Sequence, residues 1–374
     1  MKILIDFTQI PLEKAGVGVY ALNQLNEICR LDGKNFYYVL AQDDEKSLDF
    51  TNCDNFKIIK VKSSLFRRFV LRSLLEQIYI PYLALKYKID IVHSLHYSFP
   101  VFLHAKKVVT LPDMTVFKMP KRHLISKVLW FRSFIYMAAF LADKVICISR
   151  STQKDFLEKF NFAEKRTQVI YLGKSSLFRP DLTAEEMRQV REKYRINSNY
   201  LLYLGTIEPR KNIKNIILAF NKFLEEGNDY QLVIAGKKGW GFEEIFSLVE
   251  ELHLNSKVVF TGFIDEKDKP YLICGAKIFI YPSIYEGFGI PVLEALACGV
   301  PTITSNISSL PEVAGDAALF VEPSSVDDIY SKINKLLNDR ALYTQLKQRA
   351  VEQASKFSWE KTAQDTIRVY NSLQ

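Results

Sequence analysis

The stretch of residues 278–299, IFIYPSIYEGFGIPVLEALACG, decides the fold of this chain. Its first residues are apolar and either β-branched or aromatic, which predicts a buried strand ending at Pro282. Pro291 suits the first position of a helix, where its missing N–H costs nothing. Gly287 and Gly289 lie between strand and helix and allow bare backbone to approach a ligand. This order predicts a phosphate site at the helix start, where free amides and the positive dipole end meet.

Two glutamates flank this turn, Glu286 before the glycines and Glu294 inside the predicted helix. Carboxylates accept hydrogen bonds from hydroxyl groups, and sugars are rich in hydroxyls. Glu294 has an alternative role, since a carboxylate early in a helix also complements the helix dipole. Glu286 precedes the turn and has no such explanation. The pair therefore indicates sugar recognition beside a phosphate.

Length and composition predict a two-domain globular protein. The chain has 374 residues, of which 48% are hydrophobic and 25% charged. Strand and helix patterns alternate along it, so we expect an α/β fold of two Rossmann-like, doubly wound domains facing a central cleft. We assign residues 1–172 to the first domain, joined by a C-terminal helix at 358–374. Residues 200–357 form the second domain, and 173–199 form the linker region.

Twelve strands are predicted from short apolar, β-rich runs. They are Lys2–Phe7, Tyr37–Ala41, Lys57–Val61, Ile89–His93, Lys107–Leu111, Lys144–Ile148, Thr167–Tyr171, Leu201–Leu204, Gln231–Ala235, Lys257–Thr261, Ile278–Tyr281 and Pro301–Thr304. In parallel sheets of this kind, ligands bind outside the carboxyl ends of the strands.

The five cysteines are odd in number and scattered, without a Cys-x-x-Cys pair. We therefore expect reduced thiols in the cytoplasm, and neither a zinc site nor a disulfide framework. The N-terminus leads directly into a strand rather than a signal peptide, and no apolar run approaches the roughly 18 residues of a membrane span.

Positive charge is concentrated in the first half. Residues 1–172 contain 26 Lys and Arg against 16 Asp and Glu, within an overall net charge of +8. Two segments, 54–76 and 113–143, mix basic residues with large apolar ones. Such a mixture fits a surface that touches anionic lipid headgroups, so we expect peripheral association with the inner face of the membrane. The alternative is two ordinary helices with solvated basic faces.

Further motifs carry a family resemblance. The second half resembles the nucleotide-sugar-binding domain of the retaining glycosyltransferases of family 4, which have the two-domain B-type (GT-B) fold. It is most similar to their bacterial mannosyltransferase-like branch, which builds surface polysaccharides. The residues that carry the resemblance are Gly205, Glu208-Pro209-Arg210-Lys211-Asn212, Gly236, Gly262-Phe263, Glu286, Glu294 and Gly299-Val300-Pro301. The first half matches through Gly16-Val17-Gly18, His93-Ser94 and Asp113.

The resemblance implies roles in the second domain for binding the donor. Glu294 would hold the ribose, and Glu286 would act at the transferred sugar. The diphosphate would meet Arg210 and Lys211, together with backbone amides of the glycine turn. That turn contributes Phe288, Gly289 and Ile290, and the loop that meets the base begins at Gly262 and Phe263.

In the first domain, which would bind the acceptor, Gly16 and Gly18 would face the donor and Asp113 would act at the reaction centre. Relatives usually carry histidine directly before this aspartate, whereas this chain has Pro112. His93 and His96 lie near the end of a predicted strand, where a structural role is equally consistent with the sequence.

The implied reaction is transfer of a hexose, most consistent with mannose, from a nucleoside-diphosphate sugar to a glycan or polyprenyl-diphosphate-linked glycan, with retention. No Asp-x-Asp motif is present, so we expect a metal-independent enzyme without a cofactor, in which Arg210 and Lys211 stabilise the leaving diphosphate.

The alternatives are a UDP-sugar donor, a soluble acceptor, an epimerase on the same fold and a catalytically silent binding subunit. An NAD-dependent oxidoreductase is disfavoured, because no Gly-x-Gly-x-x-Gly with a later acidic residue follows the first strand. We expect no nucleic-acid partner.

Overall fold

The computed structural model describes residues 1–12, 14, 16–67, 69–120 and 124–374. The chain divides into two compact units. The first contains Met1–Gly173 and Ser358–Gln374, and the second contains Lys174–Phe357. Each unit is an α/β fold built on one parallel sheet.

The first sheet has seven strands in the order β3-β2-β1-β4-β5-β6-β7. Every neighbouring pair is parallel, so each connection must cross over the sheet. The strands are β1 (Lys2–Asp6), β2 (Phe36–Gln42), β3 (Phe56–Val61), β4 (Ile91–Ser94), β5 (Lys106–Leu111), β6 (Lys144–Cys147) and β7 (Thr167–Val169).

Helices of the first unit occupy the crossovers. They are α1 (Val17–Leu31), α2 (Ser63–Phe66), α3 (Phe69–Leu74), a π-helical segment (Leu75–Tyr79), α4 (Ile80–Tyr87), α5 (Thr115–Lys118), α6 (Ile125–Leu141), α7 (Arg150–Leu157), a 3₁₀ segment (Asn161–Arg166) and α16 (Trp359–Asn371). The C-terminal α16 returns to this unit and packs on α1, where Gln24 donates to Thr366 Oγ1 at 2.6 Å. Thr362 Oγ1 also donates to the carbonyl of Tyr171 at 2.7 Å.

The second sheet has six parallel strands in the order β10-β9-β8-β11-β12-β13. They are β8 (Tyr200–Leu204), β9 (Gln231–Ala235), β10 (Val258–Gly262), β11 (Ile278–Tyr281), β12 (Thr302–Ser305) and β13 (Ala318–Val321). The helical elements are α8 (Ala184–Lys193), a 3₁₀ turn (Pro209–Lys211), α9 (Ile213–Glu225), α10 (Glu243–Glu251), α11 (Lys269–Cys274), α12 (Ile290–Ala297), α13 (Leu310–Ala314), α14 (Val326–Asn338) and α15 (Arg340–Ser355). The sequence prediction missed β13, a four-residue edge strand.

The segment predicted as a linker, 173–199, is folded into the second unit from Lys174 onward. Thr183 caps α8 by accepting from the Glu186 amide. At the other end of α8, Lys193 forms an ion pair with Asp268 at 2.5 Å, and the Tyr194 hydroxyl donates to the same carboxylate. These contacts hold α8 against the second unit, so the charged sequence here marks a solvated helix face and not a free connection.

Both sheets reverse their strand order beside their first strand. In the first sheet the reversal lies between β1 and β4, and in the second it lies between β8 and β11. In each sheet, the loops that leave the carboxyl ends of the two strands at the reversal diverge to opposite sides of the sheet and leave a crevice between them. This topology predicts where each unit can bind a ligand.

The cysteine prediction was wrong for one pair. The structure joins Cys29 of α1 to Cys53 of the turn before β3, with their Cα atoms 5.9 Å apart. Sheet pairing of β2 with β3 brings this turn beside the end of α1, a contact that the spacing of the residues does not reveal. Cys147, Cys274 and Cys298 are free thiols. Within the described part of the chain, no helix combines the length and the apolar character needed to span a membrane.

In the basic segment 54–76, Lys57, Lys60 and Lys62 are exposed, whereas two of its arginines are ion-paired. Arg72 has an 18% exposed side chain and pairs with Glu76 at 2.9 Å, while Arg67 pairs with Asp44 at 2.8 Å. Arg68, Lys121 and Arg122 lie outside the described residues, as do the side chains of Leu65, Phe66 and Phe69. Contact of residues 54–76 with lipid headgroups stays a prediction.

A close backbone approach at the end of the second sheet gives the first testable prediction. Gly236 follows β9 with φ +145°, and a Cβ there would lie 1.9 Å from the carbonyl oxygen of Gly205. Because the Gly205 carbonyl is part of the backbone and cannot move away as a flexible side chain can, Gly236→Ala should destabilise the protein by about 1–3 kcal/mol. Gly227→Ala is the matched control, because φ is +84° there and no atom lies within 4 Å of the added methyl. Thermal unfolding should show a larger loss for Gly236→Ala, and equal losses would contradict the account.

Candidate active site

The site begins at the carboxyl end of β11, where Pro282 ends the strand. The chain then reaches Glu286, whose residue is 7% exposed. Its Oε1 accepts from Lys211 Nζ at 2.5 Å, from Ser283 Oγ at 2.6 Å and from the Tyr281 hydroxyl at 3.2 Å. Its Oε2 pairs with Arg210 at 3.2 Å. Glu286 is thus a buried carboxylate saturated by protein donors.

The two cations come from the neighbouring central strand. The loop after β8 ends in the 3₁₀ turn Pro209–Lys211, which places Arg210 and Lys211 across the reversal point from Glu286. Lys211 is 7% exposed and also donates to the Tyr281 hydroxyl at 2.6 Å. Arg210 donates to the Tyr285 carbonyl at 2.7 Å and to Glu208 at 2.7 Å. Lys211 and Glu286 are 75 residues apart in sequence, and they meet because β8 and β11 are neighbours in the sheet.

The Glu286 carboxylate is ionised at neutral pH. Burial alone would raise the pKa of Glu286, but the charges of Arg210 and Lys211, with hydrogen bonds from Lys211 and Ser283, outweigh burial and lower this pKa to about 2. Burial lowers the pKa of the Lys211 amine, and the attraction of Glu286 opposes that shift. Glu208 and Glu286 together balance the charges of Arg210 and Lys211.

The glycine turn, Gly287 to Gly289, directly precedes the first residue of α12. Gly289 caps the helix with φ +104°, and a Cβ there would lie 2.6 Å from Leu310 Cδ2. Leu310 therefore restricts this position to glycine in two ways, by conformation and by space. The amides of Gly289 and Ile290 meet no acceptor among the described residues, which leaves them available to an anion.

Two serines that the sequence analysis missed hold this turn in place. Ser308 accepts from the Glu286 amide at 2.9 Å and donates to the Glu286 carbonyl at 2.5 Å. Ser309 donates to the carbonyls of Glu286 and Phe288, the latter at 2.8 Å. Both serines follow β12, so only the sheet order places them here. Ser308 has φ +60°, an uncommon backbone conformation whose position the sequence does not mark.

Glu294 lies in the second turn of α12 and is 7% exposed. Burial raises the pKa of its carboxyl to about 8, although Lys269 partly opposes the shift. The described residues provide it with no hydrogen bond or ion pair, in contrast to Glu286. Glu294 is therefore a largely protonated carboxyl at neutral pH, and hydroxyl ligands would supply the partners that the protein does not.

The remaining residues predicted for the donor lie at neighbouring strand ends. Gly262 ends β10 with φ +70°, and a Cβ there would meet nothing within 4 Å. Phe263 follows with a 58% exposed side chain. An exposed aromatic ring at the carboxyl edge of the sheet is free to stack on a flat ligand. The role of these residues stays a prediction.

In the first unit, Gly16 caps α1 with φ +49° and Gly18 is buried in its first turn. A Cβ at Gly18 would lie 3.1 Å from Lys14 Cδ, and 3.6 Å from Ile10 Cγ2. Lys14 is itself fixed by an ion pair with Glu45 at 2.5 Å. The glycine motif therefore lets α1 begin close beneath the loop that follows β1.

Asp113 follows β5 and is partly exposed. Its Oδ1 accepts from Tyr97 at 2.5 Å and from the amide and hydroxyl of Thr115, at 2.8 and 2.6 Å. These bonds fix the aspartate at the start of α5, which is a structural function compatible with the predicted one. His93 is fully buried between Tyr370 and Thr110, and burial lowers its pKa to about 3, so its role is structural.

The structure thus brings Glu286, Arg210 and Lys211 into one cluster beside the turn of Phe288, Gly289 and Ile290. Glu294 lies on the same helix but outside the cluster. Gly16, Gly18 and Asp113 belong to the other unit. Among the described residues, no three His, Cys, Asp or Glu side chains gather as metal ligands.

Known proteins match both units. A family model described as "Glycosyltransferase Family 4" matches residues 15–173, and one described as "Glycosyl transferases group 1" matches residues 186–353. The O-antigen chain mannosyltransferase B of Escherichia coli is 35% identical over 77% of this chain and 75% of that protein.

Solved structures share the fold. A sucrose-phosphate synthase from Thermosynechococcus elongatus has a TM-score of 0.79 at 20% identity, over 100% of this chain and 98% of that chain. Anabaena Alr3699/HepE, solved with UDP and glucose, has a TM-score of 0.77 at 18% identity, with 100% of both chains covered. These solved structures show that the chain has the two-domain B-type fold. The matches to the two family models and to the Escherichia coli protein show that it is a hexosyltransferase and belongs to glycosyltransferase family 4.

Proposed function

We propose that the protein transfers mannose, with retention, from GDP-mannose to a lipid-linked glycan during synthesis of a bacterial surface polysaccharide. The observation that carries this proposal is the cluster of Arg210 and Lys211 with Glu286, beside the free amides of Gly289 and Ile290. The choice of mannose rests on the relative named as an O-antigen chain mannosyltransferase.

The cluster supplies what the leaving group requires. Cleavage of a glycosyl–phosphate bond builds negative charge on the departing diphosphate while the sugar becomes oxocarbenium-like. Arg210 is held by Glu208 and Glu286 near the start of α12, so its positive charge is already in place when negative charge develops on the diphosphate. The helix start adds two aligned amides. In the front-side scheme proposed for the family, the leaving phosphate then takes the proton of the acceptor hydroxyl.

Glu286 has a second function in this scheme. The structure engages both of its oxygens with protein donors, so it holds Lys211 and Arg210 in position as well as facing the transferred sugar. A diphosphate that binds the same cations competes with Glu286 for them. This competition frees one oxygen of Glu286 for a sugar hydroxyl. The same carboxylate can therefore hold the cations before the donor binds and contact the sugar afterwards.

A membrane surface for the acceptor is supported chiefly by exposed apolar side chains of the first unit. Among the exposed large apolar side chains of the helical run 69–87 and of α6, two sets recur every three, four or seven residues. They are Leu74, Ile78, Tyr82 and Leu85 in the first, and Ile125, Leu129, Tyr136 and Phe140 in α6. This spacing places each set along one side of its helix. Phe102, in the segment between β4 and β5, is 86% exposed.

Basic residues flank these sets, including Lys86, Lys88 and Lys127, all exposed. Exposed apolar rows with lysines beside them fit an interface with anionic lipid. Trp130 and Phe131, in the basic and apolar segment 113–143, are partly buried.

The first functional prediction separates the two glutamates. Glu294→Gln should weaken GDP binding, since it removes a carboxylate acceptor for the ribose. With a pKa of about 8, Glu294 is largely protonated in the free protein at pH 7, and hydroxyl donors favour its charged form. Binding to the wild type should therefore release a proton, measured by calorimetry in buffers of different ionisation enthalpy. Glu294→Gln should abolish the release, and a wild type that releases none would contradict this role.

Glu286→Gln is the matched variant, because it also replaces a buried glutamate by its isostere. GDP binding should be retained or become tighter, since the cations lose their internal competitor. Turnover should fall by about tenfold or more, as expected when a charge-assisted contact to the reacting sugar is lost. Equal GDP affinity and equal turnover in both variants would remove the division of roles.

The second functional prediction concerns metal dependence. If Arg210, Lys211 and the start of α12 stabilise the diphosphate, transfer should continue in excess EDTA at close to its original rate. Release of GDP from GDP-mannose, with and without EDTA, measures this directly. Complete loss of activity that magnesium restores would overturn the metal-free scheme.

The third functional prediction concerns the membrane. Replacing Leu85 and Leu129 by Asp should reduce sedimentation with anionic liposomes by about tenfold or more, because two apolar contacts become charged. Leu177→Asp is the control, as this leucine is 58% exposed but belongs to the second unit. Transfer to a short soluble acceptor should be unchanged in all variants. Wild-type protein that ignores anionic liposomes at low salt would favour a soluble acceptor.

A further inference from the structure

The first unit contains a cavity of about 450 Å³. It is lined by Thr8 and Gln9 after β1, Gln42 at the end of β2, and His96 and Ser98 after β4. These positions surround the carboxyl ends of β1 and β4, where the order of the first sheet reverses. The cavity therefore occupies the position in this sheet that Arg210, Lys211 and Glu286 occupy in the second.

Three cations line the cavity: Arg67, Arg72 and Lys127. Arg72 donates to Thr8 Oγ1 at 3.1 Å and pairs with Glu76 at 2.9 Å. Arg67 donates to Gln42 Oε1 at 2.6 Å and pairs with Asp44 at 2.8 Å. Lys127 is exposed and has no ion-pair partner within the described ranges.

The acids that pair with the arginines do not line the cavity. Glu76 is 1% exposed and receives a hydrogen bond from Ser98 Oγ at 2.6 Å, and Asp6 is fully buried, 3.8 Å from Arg72. They lie behind the cavity and hold the guanidinium group of Arg72 in one orientation. Among the described residues, the side chains that a ligand would meet in the cavity are therefore positive or neutral.

The neutral lining suits a sugar ring. Trp130 and Phe131 contribute aromatic surface, and Gln9, Gln42 and Ser98 contribute polar atoms. A mainly apolar cavity with a few convergent polar groups is the usual form of a small-molecule site. His96 adds a buried Nδ1 for which the described residues supply no partner, and burial lowers the pKa of this imidazole to about 4, so it is neutral.

The cavity is connected to the residue predicted to act at the reaction centre. Phe131 and His96 both pack on the ring of Tyr97, with centroids 4.9 and 4.4 Å away. The Tyr97 hydroxyl donates to Asp113 at 2.5 Å. A ligand in the cavity would thus lie one aromatic ring from Asp113.

We propose that this cavity binds a sugar phosphate of the acceptor, with the phosphate on Arg67, Arg72 and Lys127 and the sugar ring against Trp130. The identification of the ligand as the acceptor rests on the proposed function. The phosphate can come from a lipid-linked glycan or from a free phosphorylated sugar. The first is a phosphate ester substituted on both sides and the second is a monoester, but both present anionic phosphoryl oxygens to the same cations, and recognition by arginine and lysine is charge-assisted in either source.

The test measures binding without donor and without turnover, so its outcome does not depend on whether mannose transfer occurs. Mannose 1-phosphate is titrated into the full-length protein while the fluorescence of tryptophan is followed, and unphosphorylated mannose is the comparison ligand. We expect mannose 1-phosphate to bind at least about tenfold more tightly than mannose. Equal affinities would overturn the proposal.

Variants locate the binding. Lys127→Gln and Arg67→Gln should each weaken mannose 1-phosphate by about fivefold or more, as expected for one partly exposed charge contact. Lys34→Gln makes the same charge change at an exposed position of the first unit outside the cavity and should have no effect. Trp130→Phe, which keeps an aromatic ring, should lose the fluorescence response but retain binding by calorimetry. Equal weakening by Lys34→Gln would show non-specific attraction and contradict the site.

A final binding experiment distinguishes a lipid-linked sugar phosphate from a free one. Farnesyl-phosphate-linked mannose in detergent is compared with mannose 1-phosphate. Tighter binding of the prenyl-linked compound identifies a lipid-linked source, and tighter binding of mannose 1-phosphate identifies a free sugar phosphate. In both cases the affinity must fall in Lys127→Gln, and an affinity that stays the same there contradicts the proposal.

Discussion

The buried contact of Glu286 with Lys211 and Arg210 is the interaction on which the candidate donor site depends. Burying a lysine and a carboxylate carries a large desolvation penalty, which the site offsets with short contacts and additional hydrogen bonds. Ser283 and Tyr281 complete the coordination of Glu286. Removing one member of such a pair leaves an uncompensated buried charge. The geometry of the cations is therefore maintained by the carboxylate that we propose to contact the transferred sugar.

This interaction depends in turn on the order of the strands. Neither the 3₁₀ turn after β8 nor the glycine turn after β11 can form the site alone. They meet because β8 and β11 are adjacent at the point where the second sheet reverses. The first sheet repeats this arrangement with β1 and β4, and a cavity lies at its reversal point. One topological rule thus positions a candidate donor site in one unit and a candidate acceptor site in the other.

Local sequence patterns were sufficient for most of the strands and for the glycine turn, because apolar β-rich runs and a Gly-x-Gly-x-Pro sequence report backbone preferences directly. They did not reveal β13, where the edge strand is four residues long, or the folded nature of 174–199, where a solvated helix resembles a linker. The contacts of Ser308 with Glu286 and the pairing of Cys29 with Cys53 arise from residues far apart in sequence. Composition also does not show that Arg72, within the basic segment 54–76, pairs with the buried carboxylate of Glu76.

We propose that Arg210, held by Glu208 and Glu286, binds the diphosphate of the donor. The most direct measurement compares the dissociation constants of GDP and guanosine for the wild type and for Arg210→Gln. The account predicts that GDP binds the wild type much more tightly than guanosine, and that this ratio falls by about tenfold or more in Arg210→Gln while guanosine affinity is unchanged. An unchanged ratio in the variant would contradict the claim.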